Sequence, residues 1–277
     1  MGPLPFRKLH GCRNDYVVVA EEDVPANSDL GAMARAACDR RAGIGADGLL
    51  VVGHPADTDL SMRMWNPDGS EAEMCGNGLR CAVRFAWERR GRPPTGSGLA
   101  RTAAGVLACT VHGAHGASWD VEIEVGTPRL EGPVTLDGPA LHLQRVSIGN
   151  PHAVTFVGDV DAVPVAAWGP RVERDPAFPD RTNVEFVHVR SREALVQRTW
   201  ERGAGETEAC GTGAAAAWVA ARTAGHVGDT GVVHLRGGDL RVTWAGSGPV
   251  RLRGPATLVA AGTWHVPEAV GGHDARV

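Results

Sequence analysis

The sequence of 277 residues contains no apolar run that approaches the roughly 20 residues a transmembrane helix needs. Residues 1–10 lack a charged segment followed by a long apolar one, so no secretion signal is expected. The formal net charge is only -4 and the basic residues are scattered, so neither nucleic acid nor an anionic membrane surface is an expected partner. These absences predict a cytoplasmic protein.

The six cysteines form no CxxC pair, and no histidine stands beside them at zinc-site spacing. This disfavours a thiol-redox or metal-binding protein, and no metal is expected. In a chain of this length without a secretion signal, free thiols are expected rather than disulfides. Buried structural roles are expected for four of the six, namely Cys12, Cys38, Cys81 and Cys109.

Short apolar segments separated by glycine and proline predict a strand-rich α/β chain of one large domain or two ordinary ones. Strands are predicted over 17–20, 49–52, 61–65, 121–125, 153–157, 184–189 and 232–235. Helices are predicted over 30–38, 79–90 and 212–223. The last of these is rich in alanine, which suits a helix packed closely on all sides.

An internal repeat is the most informative feature of the sequence. Residues 63–78 read RMWNPDGSEAEMCGNG, and residues 198–213 read RTWERGAGETEACGTG, without a gap. The identical pairs are Arg63 and Arg198, Trp65 and Trp200, Glu71 and Glu206, Glu73 and Glu208, Cys75 and Cys210, Gly76 and Gly211, and Gly78 and Gly213. A weaker match pairs Asn14 with Asn150. The chain is therefore expected to contain two copies of one α/β unit, divided in the glycine- and histidine-rich stretch 112–118, with domains of 1–117 and 118–262.

The duplicated Cys-Gly-x-Gly motif sets a cysteine where each copy's helix is expected to begin. A helix N-terminus offers unpaired N–H groups and partial positive charge, which lower a thiol pKa and bind a carboxylate. Two such thiols flanking one carbon would remove a proton from one face and return one to the other. The motif favours a cofactor-independent epimerase or racemase with Cys75 and Cys210 as the acid/base pair. An old duplication whose matched residues only pack is the alternative.

The chain closely resembles the diaminopimelate epimerases, nearly from end to end. The resemblance is carried by LHGCRNDYVVV (9–19), CDRRAGIGADGLLVV (38–52), MRMWNPDGSEAEMCGNGLRCAVRF (62–85), SIGNPHAVTFV (147–157), RTNVEFV (181–187) and RTWERGAGETEACGTGAAAA (198–217). It implies two pseudosymmetric α/β domains, each a strand-rich barrel around a central helix, with residues 263–277 returning to the first domain. It also implies interconversion of LL- and meso-diaminopimelate in lysine biosynthesis without pyridoxal phosphate, metal or other cofactor, and a possible homodimer.

The resemblance also implies roles for individual residues. Cys75 and Cys210 take the two acid/base roles. Residues around the reacting centre are Asn14, Asn150, His152 and Glu201. Residues that hold the distal amino-acid end are Asn66, Asn183 and Arg202. Residues whose backbone binds the proximal carboxylate are Gly76, Asn77, Gly211 and Thr212.

Three alternatives stay open at this point: an epimerase or racemase of another amino acid, a redox or metal protein, and an inactive binding module. The distal set favours diaminopimelate, because a single-ended amino acid would leave Arg202 unpaired in a closed site. Two positions depart from the family. Family members often have glycine in place of Arg13, and many have glutamine in place of Gly48. Arg13 is expected to alter the rim of the site or its affinity.

Overall fold

The computed structural model describes residues 2–72, 75–136 and 141–267. Glu73 of the repeat and the end of the predicted C-terminal return, 268–277, lie outside the described residues. The chain forms two compact units that divide between Glu122 and Ile123 and again between Gly254 and Pro255. No helix in the described ranges combines the length and apolarity of a membrane span.

The same series of elements occurs twice along the chain. The first unit contains β1 (Leu4–Gly11), β2 (Asn14–Ala20), α1 (Leu30–Cys38), β3 (Gly48–Gly53), β4 (Leu60–Trp65), β5 (Glu71–Ala72), α2 (Gly76–Arg89), β6 (Gly96–Thr102), β7 (Gly105–His115) and most of β8 (Ser118–Glu124). The second contains β9 (Arg129–Leu136), β10 (Leu141–Ser147), β11 (Pro151–Phe156), α3 (Val165–Glu173), β12 (Asn183–Ser191), β13 (Ala194–Glu201), β14 (Gly205–Thr207), α4 (Gly211–Thr223), β15 (Thr230–Leu235) and β16 (Gly238–Thr243). The last strand, β17 (Arg251–Trp264), begins in the second unit and ends in the first.

Strand pairing shows that the repeat extends far beyond the cysteine motif. In the first unit β17, β1, β2, β3, β4, β6 and β7 pair in that order, and β8 pairs with β17 to close an eight-stranded barrel. The second unit repeats the order as β9, β10, β11, β12, β13, β15, β16 and β17. The parallel pairs, β2–β3 with β11–β12 and β4–β6 with β13–β15, fall at matching places. The predicted pair of pseudosymmetric, strand-rich α/β units is thereby confirmed.

The helix that follows each cysteine motif is the central helix of its unit. α2 packs against β1, β2, β3, β4 and β7, and α4 packs against β10, β11, β12, β13 and β16. Every residue from Gly76 to Trp87 is buried, as is every residue from Gly211 to Ala221. The alanine run of α4 is therefore packed on all sides, as predicted. Because a buried helix cannot hydrogen-bond to bulk water at its start, the polar groups near each cysteine must be satisfied by protein or ligand.

Part of the sequence repeat has a structural role. Arg63 binds Glu71 through two hydrogen bonds of 2.8 and 3.1 Å, and Arg198 binds Glu206 with the same two distances. Each bidentate pair joins a long strand to the short strand that leads into the cysteine. The repeated Arg and Glu positions thus brace the approach to each central helix.

One helix was missed from the sequence. α1 has the predicted bounds, but its counterpart α3 contains Pro170, which argues against a helix interior. Tertiary packing overrides that signal. A Cβ at Gly169 would lie 2.4 Å from the ring of Trp200, and the indole N–H of Trp200 donates to Glu173 at 2.7 Å. Only a helix with glycine at this point can lie so close to the ring.

The segment before Asn14 is a two-residue hairpin turn between β1 and β2, in which Gly11 pairs with Asn14. Its two central residues, Cys12 and Arg13, have φ of 52° and 66°, as a type I′ turn requires. A left-handed conformation costs about 1–2 kcal/mol for a residue with a side chain. Glycine at position 13 would take it without that cost.

The boundary between the units differs from the expected one. The stretch 112–118 forms the end of β7, a turn and the start of β8, and the division falls inside β8 after Glu122. The chain returns to the first unit from Pro255, earlier than the expected residue 263. The glycines at 113 and 116 signalled a hairpin turn rather than a linker, because β8 is continuous across the division.

Candidate active site

In the first unit Cys75 is the residue that caps α2, with extended backbone dihedrals (φ -140°, ψ 116°). Its Sγ lies 2.8 Å from the phenol oxygen of Tyr16 and 3.8 Å from Oδ1 of Asn14. Tyr16 also donates a hydrogen bond to Oδ1 of Asn14. Cys75 is partly accessible, whereas Tyr16 is fully buried. The thiol, the phenol and the amide therefore form one compact group at the head of a buried helix.

Asn14 is held by the residues around it. Its Nδ2 donates to Asp47 at 2.8 Å, and its Oδ1 accepts from Nδ2 of Asn77 at 3.4 Å. Asn77 in turn accepts from the guanidinium of Arg80 at 2.7 Å. Arg80 is completely buried and also donates to the carbonyl of Gly76 at 3.4 Å. Arg80 fixes the first turn of α2, which carries the backbone N–H groups predicted to bind a carboxylate.

In the second unit Cys210 also stands at the N-cap of its helix, α4, and here the side chain accepts a capping hydrogen bond, which that of Cys75 does not. The N–H of Gly213 donates to Sγ of Cys210 at 3.4 Å, and Oγ1 of Thr212 lies 3.6 Å from the sulfur. A Cβ at Gly213 would approach the sulfur to 3.2 Å and Oε1 of Glu185 to 2.7 Å. Glycine is therefore required here by close packing. Cys210 is only 6% exposed.

A chain of hydrogen bonds lies beside Cys210. Asn150 donates from Nδ2 to Thr212 at 3.3 Å, and its Oδ1 lies 2.9 Å from Nε2 of His152. Nδ1 of His152 lies 2.8 Å from Oε1 of Glu185. His152 and Glu185 are 1% and 0% exposed, and Oε2 of Glu185 has no hydrogen-bond partner among the described residues. The surroundings of Cys210 thus contain a buried pair of ionisable side chains, His152 and Glu185.

Glu201 adds a second carboxyl next to Cys210. Burial raises the pKa of Glu201, with Glu185 adding to the rise, while hydrogen bonds from Thr207 and Cys210 oppose it. Burial also raises the pKa of Cys210 well above its ordinary value, and the charges of Glu201 and Glu185 add to that effect. The structure therefore favours the neutral thiol at position 210.

The predicted distal residues belong to both units, and each is described within its own unit. In the second unit Oδ1 of Asn183 accepts from the backbone N–H of Arg202 at 2.9 Å, and its Nδ2 donates to the carbonyl of Pro151 at 2.9 Å. The exposed guanidinium of Arg202 donates to the carbonyl of Asp180 at 3.0 Å. Asn66 belongs to the first unit, where its Nδ2 donates to Ser70 at 3.0 Å.

Two residues that the sequence reasoning missed are Tyr16 and Glu185. Tyr16 pairs with Gly48 across parallel strands, and His152 pairs with Asn183 in the matching register, so Tyr16 and His152 are equivalent. Leu50 and Glu185 are equivalent by the same register, since they pair with Val18 and Val154. Extending the Asn14–Asn150 match by two residues would have drawn attention to Tyr16.

The remaining cysteines are buried thiols that form no disulfide. Burial raises the pKa of each of Cys38, Cys81 and Cys109 to about 12, which makes them poor acid/base groups near neutral pH. Within the described ranges, no three His, Cys, Asp or Glu side chains are grouped so as to hold a metal ion.

Comparison with known proteins shows a family match over most of the chain. The family model described as diaminopimelate epimerase matches residues 6–131 and 145–259. A diaminopimelate epimerase of Pelotomaculum thermopropionicum is 42% identical over 275 residues, covering 94% of this chain and 98% of the relative. One of Moorella thermoacetica is 43% identical over 280 residues, covering 93% of this chain and 98% of the relative.

More distant solved structures share the fold. A Bacillus anthracis phenazine biosynthesis protein of the PhzF family has a TM-score of 0.75 at 15% identity, covering 96% of this chain and 100% of that one. A hydroxyproline epimerase from Agrobacterium vitis has a TM-score of 0.73 at 16% identity, covering 98% of this chain and 95% of that one. At such low identity these structures support the architecture alone.

Proposed function

The chain belongs to the diaminopimelate epimerase family, and from this premise we propose how its residues act. It is an isomerase that epimerises diaminopimelate, a reaction of lysine biosynthesis. We propose that Cys75 and Cys210 interconvert the LL and meso forms from opposite faces of one α-carbon, without a cofactor. The observation that carries the proposal is the duplicated helix start, in which each unit presents one cysteine as the cap of its buried central helix.

The proposed reaction moves one proton off the substrate and one on. A thiolate takes the α-hydrogen as a proton and becomes a thiol, while the electron pair spreads into the substrate carboxylate. The opposite thiol gives its proton to the other face of the carbon and becomes a thiolate. The protonation states of the two sulfurs are thereby exchanged, so the enzyme is ready for the reverse reaction.

The pKa of Cys210 supports an assignment of the two thiols in the resting enzyme. The raised pKa of Cys210 keeps this residue protonated near neutral pH. We therefore assign Cys210 as the acid and Cys75 as the base of the resting enzyme. In this assignment the Cys75 thiolate removes the α-hydrogen as a proton, and the Cys210 thiol then gives its proton to the opposite face of the carbon.

The substrate carboxylate is assigned to the helix starts. In α4 the N–H of Gly213 donates to the sulfur of Cys210, and the proposal gives the N–H groups of Gly211 and Thr212 to the carboxylate. In α2 the proposal assigns the backbone N–H groups of Gly76 and Asn77 to the carboxylate. Helix N-termini stabilise negative charge, and this matters most when the carboxylate takes up the electron pair of the α-carbon.

The other predicted residues take supporting roles in the proposal. Asn14, Asn150, His152 and Glu201 surround the reacting centre, since each hydrogen-bonds a residue of the cysteine groups or lies next to one. Asn66, Asn183 and Arg202 hold the distal amino-acid end. A guanidinium can bind that end's carboxylate in a two-pronged hydrogen bond.

The test is solvent hydrogen exchange in deuterated water. With LL-diaminopimelate, the reduced protein should form the meso product with deuterium at the inverted α-carbon. Cys75→Ala and Cys210→Ala should each lose at least about a hundredfold in rate, the lower end of what acid–base catalysis contributes. Cys109→Ala is the matched control, because Cys109 is a buried thiol with no proposed role. Normal turnover by either of the first two variants would refute the mechanism.

The proposal competes with action on another amino acid. Comparing kcat/KM for diaminopimelate with that for single-ended amino acids decides between them, since only diaminopimelate can use the distal set. The six cysteines are thiols rather than disulfides, so we also propose that the protein works in a reducing compartment, the cytoplasm. A homodimer is expected by family resemblance, and light scattering of the purified protein tests it.

A further inference from the structure

Tyr16 is the only tyrosine in the chain, and it stands beside the sulfur of Cys75. It is fully buried in the first unit, and its hydroxyl is shared by two neighbours. Sγ of Cys75 lies 2.8 Å away, and Oδ1 of Asn14 accepts a hydrogen bond from it. A buried phenol hydroxyl usually has hydrogen-bond partners, and here one of them is the cysteine expected to act on the substrate.

The strand register of the two units relates Tyr16 to a residue near Cys210. Tyr16 occupies in the first unit the strand position that His152 occupies in the second. Leu50 likewise stands where the second unit has Glu185. The second half-site thus has an imidazole and a carboxyl at these positions, whereas the first has a phenol and an aliphatic chain. The duplicated scaffold carries two different proton environments.

The hydroxyl of a tyrosine has one proton to donate and lone pairs with which to accept. If Cys75 is a thiol, its S–H can donate to the phenol oxygen while the phenol O–H donates to Asn14. If Cys75 is a thiolate, the phenol O–H can turn to donate to the sulfur. The phenol hydroxyl can therefore hydrogen-bond the sulfur in both states, as acceptor from the thiol and as donor to the thiolate.

We propose that Tyr16 is the positioning residue of Cys75, holding the sulfur in place as thiol and stabilising it as thiolate. The proposal deepens the proposed function, on which it rests for the role of Cys75 as base. It explains how the first half-site supports a thiolate without the ionisable pair of the second. The phenol does not itself exchange protons with the substrate.

The test removes only the hydroxyl. In a Cys210→Ala background, the rate at which iodoacetamide alkylates Cys75 is followed against pH by mass spectrometry of the Cys75 peptide. Adding Tyr16→Phe should slow alkylation near pH 7 about tenfold or more, because a hydrogen bond to a charged group is lost. The profile should move to higher pH. An unchanged or faster rate would overturn the proposal.

A matched control separates this effect from damage to the fold. In a Cys75→Ala background, Tyr16→Phe should leave alkylation of Cys210 unchanged, because the phenol contacts the other sulfur. A fall of equal size at Cys210 would indicate a merely structural role and would count against the proposal.

A second readout keeps the hydroxyl at position 16. Because the chain has a single tyrosine, incorporation of 3-fluorotyrosine gives one ¹⁹F resonance. That resonance should shift at the pH where Cys75 becomes reactive, and Cys75→Ala should abolish the shift. A resonance insensitive to Cys75 would overturn the proposal.

Both measurements are made without substrate, so they do not depend on the identity of the reaction. Failure of the wild-type protein to epimerise diaminopimelate would refute the proposed function and leave the link between Tyr16 and Cys75 standing. Loss of that link with normal epimerisation would refute the inference alone.

Discussion

The buried pair of His152 and Glu185 should respond unequally to removal of its two members. Leucine is the natural replacement for Glu185, because Leu50 stands at the equivalent position of the first unit. Glu185 is fully buried, and its carboxyl has a single hydrogen-bond partner among the described residues, Nδ1 of His152 at 2.8 Å. His152 has a second partner, Asn150, at 2.9 Å.

The magnitudes follow from what each change leaves behind. His152→Leu leaves a buried carboxyl without its partner, which costs about 3–5 kcal/mol. Glu185→Leu leaves one ring nitrogen unpaired, at about 1–3 kcal/mol, but it also removes the unpartnered Oε2, whose burial costs a similar amount. The two effects offset each other, so Glu185→Leu should change stability by only about 1 kcal/mol.

The assay is thermal and urea unfolding of the two single variants and the double variant. At about 2–4 °C per kcal/mol for a chain of this size class, His152→Leu should lower Tm by roughly 6–20 °C. The double variant should be more stable than His152→Leu alone, because the unpaired carboxyl is gone. Equal losses in the two single variants, or simple addition in the double, would refute the reasoning.

Three further predictions concern the glycines after the two cysteines, the carboxyl near Cys210 and the distal arginine. Gly213→Ala should lower both Tm and activity, because the added Cβ would lie 2.7 Å from a carboxyl oxygen. The equivalent Gly78→Ala should be tolerated better, because the nearest atom to its Cβ would lie 3.3 Å away. Equal effects of the two variants in unfolding and rate assays would contradict this. Glu201→Gln should lower the pKa of Cys210, because the charge of Glu201 raises it. Alkylation of Cys210 in the Cys75→Ala background should therefore begin at lower pH. A shift of the alkylation profile to higher pH would contradict this prediction. Arg202→Ala should raise KM for diaminopimelate at least about tenfold with little change in Tm, because its guanidinium is exposed and not part of the core; an unchanged KM would exclude the distal role.

Several elements could be predicted because their signals are local. The bounds of α1 follow from its apolar spacing and from Asp29, whose side chain caps the first turn. The central helices were recognisable from the glycine-rich turns before them and the small or apolar residues along them. α3 could not be found this way, because Pro170 is a local signal against a helix and only contact with Trp200 outweighs it.

Some residues of the candidate site could also be found from the sequence, whereas others could be found only from the structure. The cysteines, Asn14, Asn150 and the helix starts could be found because they are repeated in the chain. Tyr16 and Glu185 are not repeated, since their counterparts are His152 and Leu50, so a search for identical pairs passes over them. Strand register alone shows that they stand at equivalent places.

The sequence by itself determined that one α/β unit occurs twice and that each copy presents a thiol at the head of a helix. These properties follow from residue patterns along the chain and from the repetition of those patterns. Only the tertiary structure decided which polar groups meet each sulfur, because those partners come from strands remote in sequence. The two thiols consequently differ, since Cys75 lies beside the phenol of Tyr16 and Cys210 lies near the carboxyls of Glu185 and Glu201, although the motifs that carry them are nearly the same.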